Sequence, residues 1–205
     1  MSAEPPFYTA SYVEVAAALA DAAAALRRPY LASVVGYTVR VEVLQGVARP
    51  EHLIVLAAWR DQQIFESYTA TEGCARLSEE LGALLVAPID TRQHWGLATA
   101  PARGSGTDSL MVVTHVDVVP AFKDDCVLAL VRLAADSRRH EGNLRLDVWQ
   151  QTNRPNHFTV VESWADREAF DAHGAAPETK DFRAHLAEMT GALYDERLYR
   201  LLDQE

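Results

Sequence analysis

Histidine is the side chain best suited to acid–base chemistry near neutral pH, and the 7 histidines of this chain are unevenly distributed. His52 and His94 lie in the first half. The others lie in the second half, at His115, His140, His157, His173 and His185. This distribution predicts that a general base lies in the second half. The alternative is that each histidine is a surface residue or a hydrogen-bonded structural residue.

Other reactive side chains accompany His173 in the second half. Glu162 and Trp164 are two residues apart, so they share one face of a strand. A carboxylate on that face is either solvated or part of a site, and an indole could pack the interior or line a pocket for a flat aromatic molecule. Tyr194 and His115 could donate hydrogen bonds to a substrate oxygen. The predicted catalytic set is therefore His173, Trp164, Glu162, His115 and Tyr194.

No residue pattern indicates a metal or a cofactor. The sequence lacks HxH, HExxH and CxxC, the usual spacings of metal ligands, and the glycine motifs that bind nucleotides. We therefore expect neither a bound metal nor a cofactor. Cys74 and Cys126 are predicted to be free thiols in a reducing cytoplasm, although a single disulfide also fits the sequence.

The sequence repeats itself. Residues 40–65 align without gaps on residues 145–170 with 10 identities in 26 positions, whereas chance gives about two. This offset of 105 residues places Trp59 on Trp164, and near the start of each copy the offset is 103. We interpret the pattern as a tandem duplication whose two copies each have the size of a small domain.

The two copies differ at positions that could do chemistry. Where the second copy has His115, Glu162 and His173, the first has Tyr12, Ala57 and Tyr68. A duplication that keeps fold residues but loses titratable residues in one copy indicates a single functional site. We therefore predict that the functional pocket is better formed in the second copy, between its sheet and its helices.

Each copy shows the element order β-α-β-β-α-β, which is typical of the ferredoxin-like arrangement in the α+β class. In the second copy, Pro120 begins a helix, Asp166 caps another, and Pro177 breaks that second helix in two. In the first copy, an Ala-rich helix covers residues 16–26. The second copy's strands are expected at residues 110–119, 144–150, 157–164 and 198–202.

The copies define the predicted domains. Residues 1–95 form the first ferredoxin-like unit, residues 96–108 form a linker rich in glycine and small polar residues, and residues 109–205 form the second unit. A four-stranded sheet with helices on one face leaves its other face bare, and burying that face is favourable. We therefore expect the two units to pack sheet to sheet as an intramolecular dimeric α/β barrel.

The amino-acid composition argues against nucleic-acid and membrane partners. The formal charge is −10, and no basic run indicates nucleic-acid binding. No apolar segment is long enough to span a membrane, and the first residues do not resemble a signal peptide. We expect a cytoplasmic protein without nucleic-acid or membrane partners, which could form a homo-oligomer.

The second copy resembles the antibiotic biosynthesis monooxygenase family, whose members have dimeric α/β-barrel folds. The resemblance rests on Arg154-Pro-Asn-His-Phe158, on Glu162-Ser-Trp164 with Asp166, Phe170 and His173, and on Tyr194-Asp-Glu-Arg-Leu-Tyr199. It implies an oxidoreductase that works without a cofactor, oxidising an aromatic phenol or quinol with molecular oxygen. His173 would then be the base and Trp164 a pocket wall, with Tyr194 or His115 as the donor to the substrate oxygen.

The chain departs from the patterns of characterised family members. Anthrone-oxidising members place an asparagine four residues before the strand tryptophan, where this chain has Val55 and Val160. Heme-degrading members use an asparagine on the first strand, where this chain has Thr114 and His115. Two alternatives therefore stay open: a non-catalytic barrel that binds a small hydrophobic ligand, and a heme-binding protein or isomerase on the same scaffold.

Overall fold

The computed structural model describes residues 6–101, 103–104, 109–191 and 194–202. The chain divides into two compact units. The first contains the described residues of Met1–Gln93 and Leu201–Glu205, and the second contains those of His94–Arg200. Strands β4 and β8 therefore each have residues in both units.

The first unit begins with a strand and two short helices, followed by a hairpin and two more helices. Its elements are β1 (Phe7–Glu14), a 3-10 turn (Ala17–Leu19), α1 (Ala20–Ala25), α2 (Arg27–Val34), β2 (Thr38–Gly46), β3 (His52–Trp59), α3 (Gln62–Thr69), α4 (Glu72–Gly82) and the start of β4 (Asp90–Ala98).

The second unit repeats this order. Its elements are β5 (Leu110–Asp117), a 3-10 turn (Pro120–Phe122), α5 (Lys123–Ser137), β6 (Asn143–Gln151), β7 (His157–Trp164), α6 (Arg167–Ala175), α7 (Pro177–Ala187) and β8 (Asp195–Leu201). The third predicted strand of this copy, the cap at Asp166 and the break at Pro177 are all confirmed.

The described strand pairings within each unit are antiparallel. In the first unit β3 pairs with both β1 and β2, and in the second unit β7 pairs with both β5 and β6 while β8 pairs with β5. The strands follow the order β1-β3-β2-β8-β5-β7-β6-β4 in one closed barrel. The predicted fold class, α+β with two tandem ferredoxin-like units in a barrel, is confirmed.

The first helix of each copy is built differently. Helix α5 runs unbroken and buries Cys126, Leu130 and Leu133 at helical spacing. In the first copy the corresponding helix is interrupted at Leu26 and resumes as α2. The cause is Pro29, which has no N–H for a bond to residue 25 and is tolerated only in the first turn of the new helix. The helix predicted to end at residue 26 therefore has a second segment.

Side chains shared by the two copies fix the turns. Gln45 and Gln150 donate from Nε2 to the carbonyls of Pro50 at 2.9 Å and Pro155 at 2.6 Å. These bonds hold the hairpin turn before β3 and before β7, which explains why the sequence keeps a glutamine and a proline at this spacing in both copies.

The repeated histidines beside these turns have carboxylate partners. The backbone N–H groups of His52 and His157 close the turns by donating to the carbonyls of Arg49 and Arg154, both at 2.9 Å. In addition, the His157 ring lies 2.8 Å from Asp117, and the His52 ring lies 3.5 Å from Glu14. Because these carboxylates lie on the neighbouring first strand, the histidines link the hairpin to that strand.

The predicted linker at residues 96–108 begins inside regular structure, because Gly96 to Ala98 belong to β4. Residues 102 and 105–108 of this linker lie outside the described residues. The domain boundaries at residues 95 and 109 stay a prediction. Among the described helices, none is long and apolar enough to cross a membrane.

A substitution at Gly142 tests the packing between the start of β6 and α6. Its φ of +75° is in the left-handed region, and a Cβ there would overlap the side chain of Ala169. Gly142→Ala should lower the free energy of unfolding by about 3 kcal/mol, from backbone strain plus overpacking. The matched control is Gly36→Ala, with φ +86° and open space around it, which should cost only about 1 to 2 kcal/mol. Equal losses in urea denaturation would contradict this account.

Candidate functional site

A buried tryptophan must find an acceptor for its indole N–H, and the two copies supply different acceptors. In the second unit, Trp164 Nε1 donates to Glu162 Oε2 at 2.9 Å. In the first unit, Trp59 Nε1 donates to Thr9 Oγ1 at 2.8 Å. Glu162 lies on the same strand as its tryptophan, whereas Thr9 lies on the neighbouring strand β1.

His173 joins Glu162 and Trp164 as predicted. Its ring stacks on the Trp164 indole with centroids 4.6 Å apart and an interplanar angle of 26°. His173 Nε2 is 3.7 Å from Glu162 Oε2. All three side chains are buried, with at most 4% of each residue exposed. The structure thus brings together three of the five predicted site residues in a closed interior position.

A polar network connects this cluster to the surface. His173 Nδ1 lies 3.1 Å from His140 Nδ1 and 3.2 Å from Thr179 Oγ1. His140 Nε2 in turn lies 2.5 Å from Glu178 Oε1, whose side chain is 38% exposed. A continuous row of hydrogen-bonding groups therefore runs from solvent at Glu178 to His173. His140 was not among the predicted site residues, and its sequence neighbourhood carries no signal of this contact.

Burial sets the ionisation of the two central groups. It raises the pKa of Glu162 from its ordinary value of 4.5 to about 7; the Trp164 hydrogen bond opposes this shift and the nearby Glu196 carboxylate adds to it. Burial, with the neighbouring His140, lowers the pKa of His173 from 6.5 to about 4. At neutral pH His173 is uncharged, while Glu162 is divided between its neutral and ionised forms.

Tyr194 lies near this cluster. Its ring stacks under the Arg183 guanidinium at 5.6 Å, and Arg183 donates to Glu196 at 2.9 Å. Partial burial and the charges of Glu162 and Glu196 raise the pKa of the Tyr194 phenol, so it is a neutral donor.

His115 is separated from the cluster. It lies 3.4 Å from Thr159, which also contacts His94 at 3.0 Å. On β5 His115 alternates with Val112, which packs against Trp164. It therefore faces the opposite side of the sheet. The structure therefore does not bring His115 together with Glu162, Trp164 and His173. The reason is that His115 lies three residues from Val112 on β5, an odd spacing that turns its side chain to the other face of the sheet.

A groove of the second unit lies apart from this cluster. It has a volume of about 410 Å³, lies between α5 and α7, and is lined by Leu128, Leu133, Glu178 and Phe182 but not by Trp164 or His173. The interior on the Trp164 side is packed, because Phe158 and Phe182 belong to its hydrophobic core. We predicted a better-formed pocket in this unit, between its sheet and helices, and the structure does not place one around these residues.

The larger cavity lies in the first unit, between its sheet and its helices. It has a volume of about 510 Å³, and its lining includes the counterparts of the predicted site residues, Trp59 and Tyr68. This cavity is larger than the groove of the second unit, which favours the first unit as the place for a ligand. The catalytic roles of His173, Trp164, Glu162, His115 and Tyr194 remain predictions.

Side-chain volume explains why one copy is open and the other is packed. The positions of Phe158 and Phe182 in the second unit are occupied by Leu53 and Leu77 in the first, and both leucines line the cavity. The interrupted helix adds to this difference, because α1 buries only alanines, Ala20 and Ala23. The smaller side chains leave the space that aromatic rings fill in the second unit.

The polar groups of the first-unit cavity are mainly hydroxyls. Tyr68 Oη lies 2.9 Å from Ser33 Oγ, which donates to the Tyr30 carbonyl at 2.7 Å. Burial raises the pKa of Tyr68 to about 12 and also raises the pKa of Tyr30. Both phenols are therefore neutral near pH 7 and can donate hydrogen bonds. The cavity can hold a flat molecule that carries an oxygen.

Sequence reasoning missed Thr9, Tyr30 and Ser33. One signal was available for Thr9. Where the second copy has Glu162 opposite Val112, the first has Ala57 opposite Thr9, so the acceptor has moved between paired strand positions. Among the residues that the structure describes, no group of three or more His, Cys, Asp or Glu side chains could hold a metal ion. Cys74 and Cys126 are free thiols.

Comparison with known proteins gives one family and several relatives. Residues 109–185 match the model of the antibiotic biosynthesis monooxygenase family. YcnE of Bacillus subtilis, named as a candidate monooxygenase, is 24% identical over 86 residues, which is 42% of this chain and 90% of YcnE.

Several solved structures match almost the whole chain. A candidate monooxygenase from Fusobacterium nucleatum is 14% identical with a TM-score of 0.84, covering 98% of this chain and 94% of that one. An anthrone oxidase-like protein is 15% identical with a TM-score of 0.78, covering 98% and 93%. At these identities the likeness shows the fold.

The ionisation of Glu162 makes the free energy of unfolding depend on pH. Because its folded pKa of about 7 lies above the ordinary 4.5, the folded state holds the proton more tightly and loses stability as pH rises from 4.5 to 7. Glu162→Gln cannot ionise and keeps an acceptor for Trp164. The free energy of unfolding of this variant should equal that of the parent protein near pH 4.5 and should be higher by about 2 to 3 kcal/mol above pH 7. The measurement is urea denaturation at both pH values, with exposed Glu188→Gln as the control. A difference that does not change with pH would contradict the assignment.

Proposed function

Because residues 109–185 carry a domain of the antibiotic biosynthesis monooxygenase family, we propose that this protein is a monooxygenase that oxidises a small aromatic phenol or quinol with molecular oxygen. We further propose that the substrate binds in the cavity of the first unit. The observation that carries the second proposal is the cavity itself, whose lining includes Trp59 and Tyr68, whereas the equivalent Trp164 and His173 do not line the groove of the second unit.

The cavity suits such a substrate in size and chemistry. Its volume of about 510 Å³ falls within the range of about 300 to 1,000 Å³ that is usual for small-molecule sites. Leu53, Val55 and Leu81 give it apolar walls, and Trp59 and Tyr68 offer aromatic faces. An aromatic ring would lose its hydration there, and its oxygen would meet the neutral hydroxyl groups.

The proposed reaction needs an electron-rich substrate carbon. The ionised phenol or enol donates electrons to oxygen, and a carbon–oxygen bond forms. The oxygen–oxygen bond then breaks. One oxygen atom stays on the carbon as a carbonyl, and the other leaves as water with two substrate hydrogens. The protein contributes a site that excludes water and hydroxyl donors, such as Tyr68, which stabilise negative charge on oxygen.

A second candidate site is the pair of Glu162 and His173 in the second unit. The observation in its favour is their ionisation: a carboxyl with a pKa of about 7 lies beside a neutral imidazole. Such a pair could move a proton. The groove of the second unit does not reach this pair, because neither His173 nor Glu162 belongs to its lining.

A non-catalytic ligand-binding barrel is the alternative function. The observation in its favour is that the described lining of the first-unit cavity includes no histidine and no carboxylate. This set supplies no histidine or carboxylate as a general base, so an oxygenase without one would require a substrate that ionises easily. Purified protein that binds aromatic ligands without consuming oxygen would favour the binding function.

Filling the cavity tests the proposed site. Val55 lines it, so Val55→Phe would place a ring in the substrate's space, and Val55→Ile is the control that keeps the cavity open. Oxygen uptake with a panel of quinols and anthrones should fall by about 10-fold or more in Val55→Phe, and Val55→Ile should keep most of the activity. Melting temperatures establish that both variants are folded.

The same assay separates the two candidate sites. If the second unit holds the reaction centre, His173→Ala will reduce uptake by about 100-fold, the scale of losing a general base, while Val55→Phe will leave it unchanged. That result would overturn the assignment to the first unit. No uptake by the parent protein with any substrate would overturn the monooxygenase proposal.

A further inference from the structure

The Thr9 hydroxyl in the first-unit cavity accepts a hydrogen bond but has its own hydrogen left to donate. Thr9 Oγ1 accepts the Trp59 indole N–H at 2.8 Å. A threonine hydroxyl carries one hydrogen as well as two lone pairs, and among the residues that the structure describes no group accepts this hydrogen. Thr9 is only 3% exposed, yet it belongs to the cavity lining. Because buried donors normally have an acceptor, the cavity is the place where an acceptor for Thr9 would lie.

The other aliphatic hydroxyls of the lining already have partners in the protein. Thr69 and Ser78 donate to backbone carbonyls of their own helices, at 2.8 Å and 2.9 Å. Ser11 and Thr91 share an exposed hydrogen bond of 2.9 Å, where water can accept the hydrogen that is left over. Thr9 differs from these four residues, because it is buried and can donate to a ligand without giving up an existing bond.

The phenols of the lining are the competing donors. Ser33 gives its hydrogen to the Tyr30 carbonyl, so in the 2.9 Å contact between Ser33 and Tyr68 the phenol is the donor. Tyr68 must therefore exchange this acceptor before it serves a ligand. Tyr30 is half-buried. The bond from Trp59 polarises the Thr9 hydroxyl and strengthens its donation, which favours Thr9 over the phenols.

Comparison of the two copies connects the Thr9 hydroxyl with the open cavity. At the offset of 103, Thr9 corresponds to Val112 of the second unit, which packs against Trp164. There Glu162 accepts the indole N–H, so the tryptophan needs no hydroxyl at this strand position. The hydroxyl thus occurs in the unit whose tryptophan lines a cavity, and an apolar side chain replaces it in the packed unit.

We propose that Thr9 donates a hydrogen bond to the oxygen of the aromatic substrate and thereby fixes the orientation of the ring in the first-unit cavity. This inference rests on the proposed function, since it takes the cavity to be the substrate site. The ligand is a planar aromatic molecule with an acceptor oxygen, as in an aryl ketone or an ionised phenol. Its oxygen lies at Thr9 beside Trp59, and its ring lies along the apolar wall of Leu53 and Val55. The same bond stabilises negative charge on that oxygen.

Binding of two matched neutral probes tests the proposal without any turnover. 2-Acetylnaphthalene and 2-isopropenylnaphthalene have nearly the same shape, but only the ketone carries an oxygen that accepts a hydrogen bond. Thr9→Val keeps the side-chain shape and removes the donor. It should weaken binding of the ketone by about 3- to 10-fold, the scale of one neutral hydrogen bond, and leave binding of the alkene unchanged. Thr9→Ser keeps the hydroxyl and is the matched control, which should preserve the parent protein's preference between the probes.

A measurement on the parent protein keeps the test valid if Thr9→Val folds poorly. That variant leaves the Trp59 indole without its acceptor, so its melting temperature must be measured. In the parent protein, the infrared band of the isotope-labelled carbonyl of bound 2-acetylnaphthalene should lie at a lower wavenumber than in hexane, because a hydrogen bond weakens the C=O bond. Thr9→Ser should keep this lower wavenumber.

Four results would overturn the inference. Thr9→Val could weaken both probes equally, as loss of a structural residue would. Tyr30→Phe, and not Thr9→Val, could weaken the ketone selectively, which would assign the donor to the phenol. The carbonyl band of the bound ketone could match the band in hexane, or neither probe could bind up to its solubility limit.

Oxygen uptake distinguishes failure of this inference from failure of the proposed function. If the parent protein consumes oxygen with a quinol and Thr9→Val keeps the same kcat/KM, the oxygenase stands and the role of Thr9 is wrong. If the ketone binds through Thr9 but no substrate consumes oxygen, the binding site stands and the oxygenase is wrong.

Discussion

The indole N–H of the repeated tryptophan is the constraint on which the two units depend. A buried indole without an acceptor would cost about 1 to 3 kcal/mol, so each copy must place an oxygen beside it. The first copy uses Thr9 on β1, and the second uses Glu162 on the tryptophan's own strand. The paired position holds Ala57 in one copy and Val112 in the other. Both copies supply an acceptor for the indole N–H, but the acceptor is a hydroxyl in the first copy and a carboxyl group in the second.

The two solutions have different consequences for the space around them. In the first unit the acceptor is a neutral hydroxyl, and the smaller Leu53 and Leu77 leave a cavity beside Trp59. Burying a carboxylate costs free energy unless polar groups lie beside it. In the second unit His173 is such a group, and its ring fills the interior against Trp164. The second unit therefore has a packed core that contains a titratable carboxyl group. The first unit keeps an open interior that is suited to a ligand.

Local patterns in the sequence predicted most of the fold. The strand at residues 157–164, the cap at Asp166 and the break at Pro177 follow from short-range signals, and each is confirmed. The cluster of Glu162, Trp164 and His173 also follows from residue spacing. The position of the cavity could not be predicted in this way, because it depends on the volumes of leucine and phenylalanine at matched core positions. Counting histidines directed attention to the second unit, where His173 is hydrogen-bonded in a packed interior.

The central claim is that the first unit holds the ligand. A crystal structure of the protein soaked with an aromatic ligand such as 2-acetylnaphthalene tests it most directly. The account predicts ligand density in the first unit, with the ring beside Trp59 and Tyr68 and the stacked Trp164 and His173 unchanged. Density in the second unit, with the His173 ring displaced from Trp164 and the first-unit cavity empty, would contradict it.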